Sequence, residues 1–358
     1  MSNLTLSNNL IFDLVLKEYN IRANSIELVK AKATAKDRMV YKINTDSQSY
    51  CLKKVYYDEE TLLFIYSSII WLNLHNISCP TLLTTTSGGR YFKYNNMLFI
   101  LTPWINGVKC NYDILNHLEI SLENLANMHI SGKNFSPIEG SKLLTGFDNS
   151  SFSYAKHFSD LKKYIDICSN KDDIFSKKII DYKDYILNTG YISVIYSQLI
   201  DTNFLPKTLC HKDYVNKNII IDNNMNPWVI DFDKCRIDYR ITDLCYFFRR
   251  FLRRENTKWN FFLFSYLLNI YEKISPLNFN EHIYLFSYLS FPQKHWRLCR
   301  DFYNTSELSY EDYNTLLNKY NNQSENHMNF IFSYKFYIYN RFKNERKNRF
   351  EMHKEIKQ

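Results

Sequence analysis

The stretch Leu209–Asn218, which reads LCHKDYVNKN, places a histidine, an aspartate and an asparagine at H-x-D-x-x-x-x-N spacing. A second aspartate, Asp231, follows thirteen residues after the asparagine. Phosphoryl transfer from ATP requires such a set. One carboxylate orients or deprotonates the acceptor hydroxyl, while an amide and a second carboxylate hold Mg²⁺ against the phosphates.

The segment between the asparagine and the second aspartate has the pattern of a hairpin. The apolar runs Ile219–Ile221 and Trp228–Ile230 flank a turn-forming sequence, NNMNP. A hairpin would bring Asn218 and Asp231 side by side at one end of two strands. The alternative is that these polar residues only cap turns, as Asp and Asn commonly do. Their register with the hairpin favours a phosphotransfer site.

Composition indicates an ordinary globular protein. The chain has 358 residues, enough for one large or two modest domains, and 45% of them are apolar. The net charge of +8 is modest, and basic pairs at helical spacing are typical of a solvated helix face. We find no nucleic-acid-binding motif, so we expect no nucleic-acid partner.

Cysteine usage and the N-terminus bear on the compartment. The eight cysteines include no C-x-x-C pair, which argues against a structural zinc site and against a secreted disulfide framework. The first nine residues carry no signal-peptide pattern, and no apolar run is long enough to span a membrane. We therefore expect cytoplasmic synthesis without a signal peptide, and no membrane partner.

Periodicity predicts strands and helices in the first hundred residues. An apolar stripe predicts a leading helix to about Leu28, although strand-like alternation begins at Ile26. A later helix is expected to be capped by Asp58. The other predicted elements are strands at Arg38–Thr45, Tyr50–Val55, Gly89–Tyr94 and Met97–Thr102, and the capped helix at Glu59–Leu74.

Beyond these strands the pattern becomes mainly helical, apart from the hairpin. Pro103 and Gly107 interrupt the chain between the two regions. The prediction is an α+β, two-lobed protein kinase-like fold, with a small antiparallel sheet and one helix before a larger helical lobe. Its expected parts are an N-lobe (1–102), a hinge (103–107), a C-lobe with the catalytic loop (108–340) and a basic tail (341–358).

Several motifs resemble the aminoglycoside phosphotransferase and choline kinase group, and more narrowly the CotS-type spore coat proteins of endospore-forming bacteria. They occur in the family's order and span residues 30 to 300. The motifs are YCLK (50–53), PWING (103–107), IDFD (230–233) with Asp238, TDL (242–244) and FPQKHW (291–296).

This resemblance implies roles for the catalytic loop. Asp213 would be the catalytic base, and His211 would brace the loop. Asn218 and Asp231 would be the metal ligands. Lys53 would contact the α- and β-phosphates of ATP, and Mg²⁺ would be the metal.

The resemblance also implies residues around the nucleotide. Cys51 shares a strand face with Lys53 and could line the adenine pocket, and backbone from Leu101 to Trp104 would meet the adenine edge. Two choices stay open. Lys54 would replace Lys53 if the strand register shifted by one residue, and the lysine's glutamate partner would be Glu60 or Glu59.

Two departures from the family pattern concern phosphate binding and the base. No glycine precedes Gly88, so the loop 33–37 lacks the glycines that let backbone amides approach phosphates. Lys36 or Arg38 would have to substitute with side-chain charge. Lys212 stands where aminoglycoside enzymes often have glycine, next to the predicted base.

The expected function is ATP- and Mg²⁺-dependent phosphorylation of a hydroxyl on a small molecule. Only eleven residues separate Asp231 from Asp243, too few for the peptide-binding activation segment of protein kinases. Two alternatives are a catalytically quiet component of the spore coat and a kinase of coat proteins. The expected partners are a nucleotide and a small hydroxylated substrate or other coat proteins. The expected final location is the spore coat.

Overall fold

A computed structural model describes residues 10–32, 38–147, 149–305 and 308–343. Contacts among these residues divide the chain into two compact units. The first unit comes from Met1–Thr145 and Thr208–Ile237, and the second from Gly146–Lys207 and Asp238–Gln358. The predicted hinge and lobe boundaries stay a prediction. The loop 33–37 with Lys36, and the basic tail from residue 344, lie outside the described residues.

The first unit contains a five-stranded antiparallel sheet in the order β1-β2-β3-β5-β4. Its strands are β1 (Ser25–Lys32), β2 (Arg38–Asn44), β3 (Ser49–Val55), β4 (Phe92–Tyr94) and β5 (Met97–Pro103). The four strands predicted between residues 38 and 102 are therefore confirmed, although β4 begins at Phe92 and not at the predicted Gly89. Asn95 and Asn96 both adopt positive φ in the turn between β4 and β5, a conformation that asparagine tolerates better than most residues.

The prediction of a leading helix to about Leu28 is wrong at its C-terminal end. Helical residues, which include a π-helical segment at Ile11–Leu16, end at Glu18. Asn20 then adopts a left-handed φ of 51°, and β1 begins at Ser25. The alternation that starts at Ile26 reflects strand pairing with β2 and overrides the apolar stripe.

The two faces of the sheet have different roles. On one face, apolar side chains of β2, β3 and β5 pack against the helical segment Ile11–Leu16 and form a buried core. Leu52 and Leu101 belong to this core and are fully buried. Because side chains alternate along a strand, Cys51 and Lys53 lie on the opposite face, where they are half-buried.

Helix α1 (Glu59–Leu74) follows β3 and begins as predicted. The Asp58 side chain accepts a hydrogen bond from the Thr61 N–H at 2.9 Å, which satisfies one of the free N–H groups at the helix start. The indole of Trp71 donates to the Ser131 carbonyl at 2.8 Å. This bond joins α1 to the end of α2 (Leu115–Ser131).

Short strands carry the loop-bearing part of the first unit. They are β6 (Val108–Lys109), β7 (Lys207–Cys210), β8 (Ile219–Ile221), β9 (Pro227–Val229) and β10 (Arg236–Tyr239). β6, β8 and β9 form one sheet, and β7 pairs with β10. Ile219 pairs with Val229 and Ile221 with Pro227, so the predicted hairpin is confirmed.

The second unit is helical within the described residues. Its helices are α3 (Ser150–Ser169), α4 (Ile174–Asp181), α5 (Lys183–Ser197), α6 (Ile241–Leu252), α7 (Phe261–Ile274), α8 (Phe279–Ser290), α9 (Gln293–Asn304), α10 (Tyr310–Asn321) and α11 (Ser324–Arg341). Phe291 and Trp296 of the FPQKHW motif belong to its buried core. No described helix is long and apolar enough to cross a membrane. The predicted α+β class, with an antiparallel sheet before a mainly helical region, is confirmed.

Candidate phosphotransfer site

The loop after β7 is held by a buried histidine. His211 is fully buried, and its Nε2 lies 3.0 Å from the Ile230 carbonyl oxygen. Because a carbonyl oxygen only accepts, this nitrogen carries the proton and Nδ1 acts as an acceptor. Nδ1 accepts from the Asp213 N–H at 3.2 Å. The neutral imidazole therefore fixes the backbone at Asp213 against the end of the hairpin.

A buried tyrosine anchors the same loop to α2. The Tyr214 hydroxyl donates to the Ser121 carbonyl at 2.7 Å and accepts from the Asn124 amide at 3.2 Å. Tyr214 has no exposed surface, so both bonds form away from solvent. Two rigid elements, α2 and the hairpin, thus position the loop.

The hairpin brings the asparagine beside the second aspartate. The Asn218 side-chain amide donates to the Asp213 carbonyl at 2.9 Å, which holds the loop closed. The Asn218 carbonyl accepts from the Ile230 N–H at 3.0 Å. Asp231 follows directly and adopts a left-handed φ of 70°, a conformation that costs energy for an aspartate and that clusters at functional sites.

Two cations from the sheet contact the Asp231 carboxylate. Lys53 Nζ lies 3.0 Å from Asp231 Oδ1, and Arg38 Nη1 lies 3.2 Å from the same oxygen. Both cations also pair with Asp233, the Arg38 contact being 2.5 Å. The result is a quartet of two cations and two carboxylates, each with less than a fifth of its side chain exposed.

The opposite charges within the quartet shift the pKa values of Asp231 and Lys53 toward the charged forms. Burial favours the neutral form of Asp231, but Lys53 and then Arg38 outweigh it and hold the pKa of this carboxyl well below its usual range. Burial also opposes the charge on Lys53, yet Asp233 and Asp231 raise its pKa above the usual value. The Asp231 carboxylate and the Lys53 ammonium are therefore both ionised at neutral pH.

Asp213 has cationic neighbours of its own. Its Oδ2 lies 3.3 Å from Lys217 Nζ and 3.4 Å from Lys234 Nζ. Asp213 is half-buried, whereas both lysines are exposed. The carboxylate is thus reachable from solvent and lies beside positive charge. This arrangement suits a group that accepts a proton next to an anionic ligand.

A family comparison covers this site. A model of the APH phosphotransferase enzyme family matches residues 30–260, more than half of the chain. The chain belongs to this family. The match includes Lys53, the H-x-D-x-x-x-x-N loop and Asp231.

Solved structures of the phosphotransferase family share the fold at low sequence identity. An aminoglycoside phosphotransferase from Alicyclobacillus acidocaldarius is 16% identical, with a TM-score of 0.78, over 94% of this chain and 98% of that chain. Spectinomycin phosphotransferase in complex with ADP and spectinomycin is 17% identical, with a TM-score of 0.67, over 90% and 98%. Amicoumacin kinase in complex with AMP-PNP, Ca²⁺ and Ami is 14% identical, with a TM-score of 0.61, over 89% and 93%. The fold is the kinase-like fold of this family.

The predicted lysine–glutamate pair does not form among the described residues. Glu60 is exposed on the first turn of α1. The alternative, Glu59, accepts a hydrogen bond from the Tyr91 hydroxyl at 2.5 Å and pairs with Lys93. Lys53 instead contacts the two aspartates that follow the hairpin. The physical reason is that the helix start points its carboxylates toward β4 and solvent.

The groups predicted to contact adenine differ in whether they can still form a hydrogen bond. Cys51 lies on the Lys53 face, paired in register with Thr102. The Leu101 carbonyl accepts from the Leu83 N–H at 2.8 Å and keeps one lone pair. The Trp104 N–H donates to the Ser49 carbonyl at 3.0 Å, so its single proton is already used. These nucleotide contacts stay a prediction, and the last one would require that bond to break.

Sequence reasoning gave no role to Asp233 and only a tentative one to Arg38. Both belong to the quartet with Lys53 and Asp231. A signal for Asp233 was present, because it stands two residues after Asp231 in the IDFD motif. The Arg38 contact joins residues 193 apart in sequence, and no local pattern indicates it.

Proposed function

We propose that this protein transfers the γ-phosphoryl group of ATP to a hydroxyl of a small molecule. The observation that carries the proposal is the convergence of Lys53 and Arg38 on Asp231, beside the loop that bears Asp213 and Asn218. One site would then contain cations that bind the phosphates, oxygen ligands that bind a metal, and a carboxylate that accepts the proton of the acceptor hydroxyl.

The oxygen donors fit a hard divalent metal such as Mg²⁺. Asp231 is ionised, and the Asn218 side chain supplies an amide oxygen. These two residues would hold the ion, with Asp233 next to them. Bound there, it would neutralise phosphate charge as the phosphoryl group moves.

Lys53 and Arg38 would hold the phosphates. In the quartet the two aspartates balance the charges of Lys53 and Arg38. The two cations are therefore in place to contact phosphate oxygens, and the quartet as a whole carries no net charge. A triphosphate would compete for the same N–H donors. Charge-assisted hydrogen bonds of this type are about twice as strong as neutral ones.

Asp213 would act as the base in the chemical step. Its carboxylate would take the proton of the acceptor hydroxyl while the hydroxyl oxygen forms a bond to the γ-phosphorus. The bond between that phosphorus and the β–γ bridging oxygen breaks, and ADP leaves with the bonding electrons. Lys217 and Lys234, at 3.3 and 3.4 Å from Asp213, would face the transferred phosphate.

The acceptor in this proposal is a small molecule. A turn with the Cys235 N–H bonded to the Phe232 carbonyl follows Asp231, and β10 begins at Arg236. Protein kinases use a long activation segment in this place as the platform for a peptide. The short connection supports a compact hydroxylated acceptor over a protein.

The spore-coat association stays a prediction that rests on the motif resemblance. A coat component without catalytic turnover would have no need for the charged quartet, because partly buried ion pairs add little to the stability of a scaffold. The quartet therefore supports the enzymatic interpretation over the structural one. Coat proteins as substrates would require phosphate transfer to a protein partner.

Nucleotide-dependent thermal unfolding tests the proposed function. A ligand at one hundred times its Kd stabilises the folded state by about 2.7 kcal/mol. We expect MgATP and MgADP to raise Tm, and Asp231→Asn to remove the shift. ADP formation with a panel of small hydroxylated compounds then tests turnover. Absence of a shift with every nucleotide would overturn the proposal.

A further inference from the structure

The end of α6 and the start of α9, both in the second unit, carry five cationic side chains. Arg249, Arg250 and Arg253 occupy the end of α6 and the position after it, and Lys294 and Arg297 lie one turn apart on α9. Burial, and then positive charges of this set, lower the pKa values of Arg253, Lys294 and Arg297. We call these residues the basic cluster.

The basic cluster adjoins a pocket. Arg249, Arg253 and Lys294 line an open depression. Aromatic and imidazole side chains form much of the remaining wall, among them Tyr185 and His327. A few convergent charged groups in a partly apolar concavity are typical of small-ligand sites.

No acidic side chain in the described part of the chain forms an ion pair with the basic cluster. Its neutral neighbours include aromatic rings, a side-chain amide and the Arg249 carbonyl, which accepts from Arg253 Nε at 3.2 Å. The Arg249 guanidinium lies 4.5 Å from the centre of the Tyr288 ring and is bonded to the Gln293 side chain, and Lys294 lies 5.4 Å from the Tyr320 ring. Ring faces attract cations but cancel no net charge.

The uncompensated charge has an electrostatic signature. Burial lowers the pKa of Lys294 to about 8, with further lowering by Arg253, Arg297, Arg249 and Arg250. Burial and then Arg249 likewise lower the pKa of Arg253 to about 10. Each cation would thus be stabilised by an anion in the pocket, which would relieve repulsion within the cluster.

We propose that this pocket binds the phosphate or sulfate group of a small ligand. Such an oxyanion offers several acceptor oxygens to the converging guanidinium groups of Arg249 and Arg253, while Lys294 supplies a point charge. Arg250 and Arg297 are exposed and attract the anion toward the pocket. The aromatic wall suits an uncharged portion of the same ligand. This site stands apart from the proposed phosphotransfer chemistry and does not depend on it.

Calorimetric titration with inorganic phosphate and with sulfate, at constant ionic strength set by chloride, tests the proposal. We expect saturable binding to the wild-type protein. Lys294→Gln and Arg253→Gln should each weaken it about ten-fold, the effect of losing one charge-assisted contact. Lys335→Gln removes the same charge from an exposed position of α11 and should change the affinity less than about two-fold.

A second comparison separates this pocket from the quartet. Phosphate binding should persist in Lys53→Met, and MgADP binding should persist in Lys294→Gln. Loss of all phosphate binding in Lys53→Met would place the ion at the quartet and overturn the proposal. Unchanged phosphate affinity in both Lys294→Gln and Arg297→Gln would overturn it as well, and the exposed position of Arg297 makes misfolding of that variant no explanation.

Discussion

The ammonium of Lys53 lies 3.0 Å from a carboxylate oxygen of Asp231, although 178 residues separate the two in sequence. Lys53 comes from the middle strand of the five-stranded sheet, and Asp231 follows the β8–β9 hairpin. The contact therefore joins the two segments that the sequence marks independently for phosphate and metal binding. Of the two neighbouring lysines, Lys53 is the one on the face of Asp231, and its role toward the phosphates stays a prediction.

Replacing Lys53 with methionine should weaken nucleotide binding about ten- to a hundred-fold. Methionine keeps the length of the apolar stem but removes the charge that contacts Asp231 and, in the proposed function, the phosphates. Titration with MgADP measures the loss. Lys54→Met is the matched control, since Lys54 has the same chemistry one residue later and lies on the opposite face of β3. Equal losses in both variants would contradict the assignment of Lys53.

Replacing Asp213 with asparagine should lower turnover about 10²–10⁴-fold, the usual effect of losing a general base. The backbone bond of Asp213 to His211 and its carbonyl bond to Asn218 do not involve the carboxylate, so the fold should persist. ADP formation under saturating nucleotide measures the rate, and the MgADP thermal shift should stay intact. Asp13→Asn, at an exposed position before β1, controls for the loss of one carboxylate. Full activity in Asp213→Asn would show that another group accepts the proton.

Short-range sequence patterns are sufficient to predict the secondary-structure elements around the site. The Asp58 cap, the turn at Asn95 and Asn96 and the NNMNP hairpin each depend on residues within a few positions of one another. Hydrogen bonding within the turn or the first helical turn decides their structure. The sequence therefore predicts that Asn218 and Asp231 lie at the same end of the hairpin, because they flank its two strands.

Contacts that depend on the packing of distant elements could not be predicted in the same way. The direction in which Glu60 points is set by the rotation of α1 about its axis, and both glutamates of the first turn fit the same sequence pattern. The pairing of Arg38 with Asp233 joins β2 to the segment after the hairpin across 195 residues. The basic cluster likewise arises only when the end of α6 lies near the start of α9, since each helix alone has the pattern of a solvated face.

A buried histidine should make stability depend on pH. Burial lowers the pKa of His295 to about 4, while the bond to Asn321 partly opposes the shift. The unfolded value is about 6.5, so the unfolded chain takes up the proton first as pH falls. Stability is therefore fully present above about pH 6.5 and is lost between about pH 6.5 and 4, by about 3 kcal/mol from this residue.

Urea unfolding across that pH range tests the contribution of His295. His295→Gln keeps a donor for Asn321 and should flatten the loss between pH 6.5 and 4, leaving the part due to His327, whose pKa burial lowers to about 3. His75→Gln, at an exposed position after α1, should leave the slope as in the wild type. The same slope in wild type and His295→Gln would show that His295 is not buried in its neutral form.

A glycine beside the hairpin should be sensitive to the addition of one methyl group. A Cβ atom at Gly107 would lie 2.3 Å from the Ile221 carbonyl oxygen and 2.9 Å from Ile220 Cγ2, and β8 cannot yield without disturbing its pairing with β9. Gly107→Ala should therefore lower the free energy of unfolding by about 1–3 kcal/mol. Gly88→Ala is the control, because Gly107 and Gly88 both have a positive φ, of 157° and 87°, but no described atom lies within 4 Å of a Cβ added at Gly88. Urea unfolding measures the free energy of unfolding of both variants. A larger decrease for Gly88→Ala would mean that backbone strain, and not the close approach to β8, determines the cost of the added methyl group.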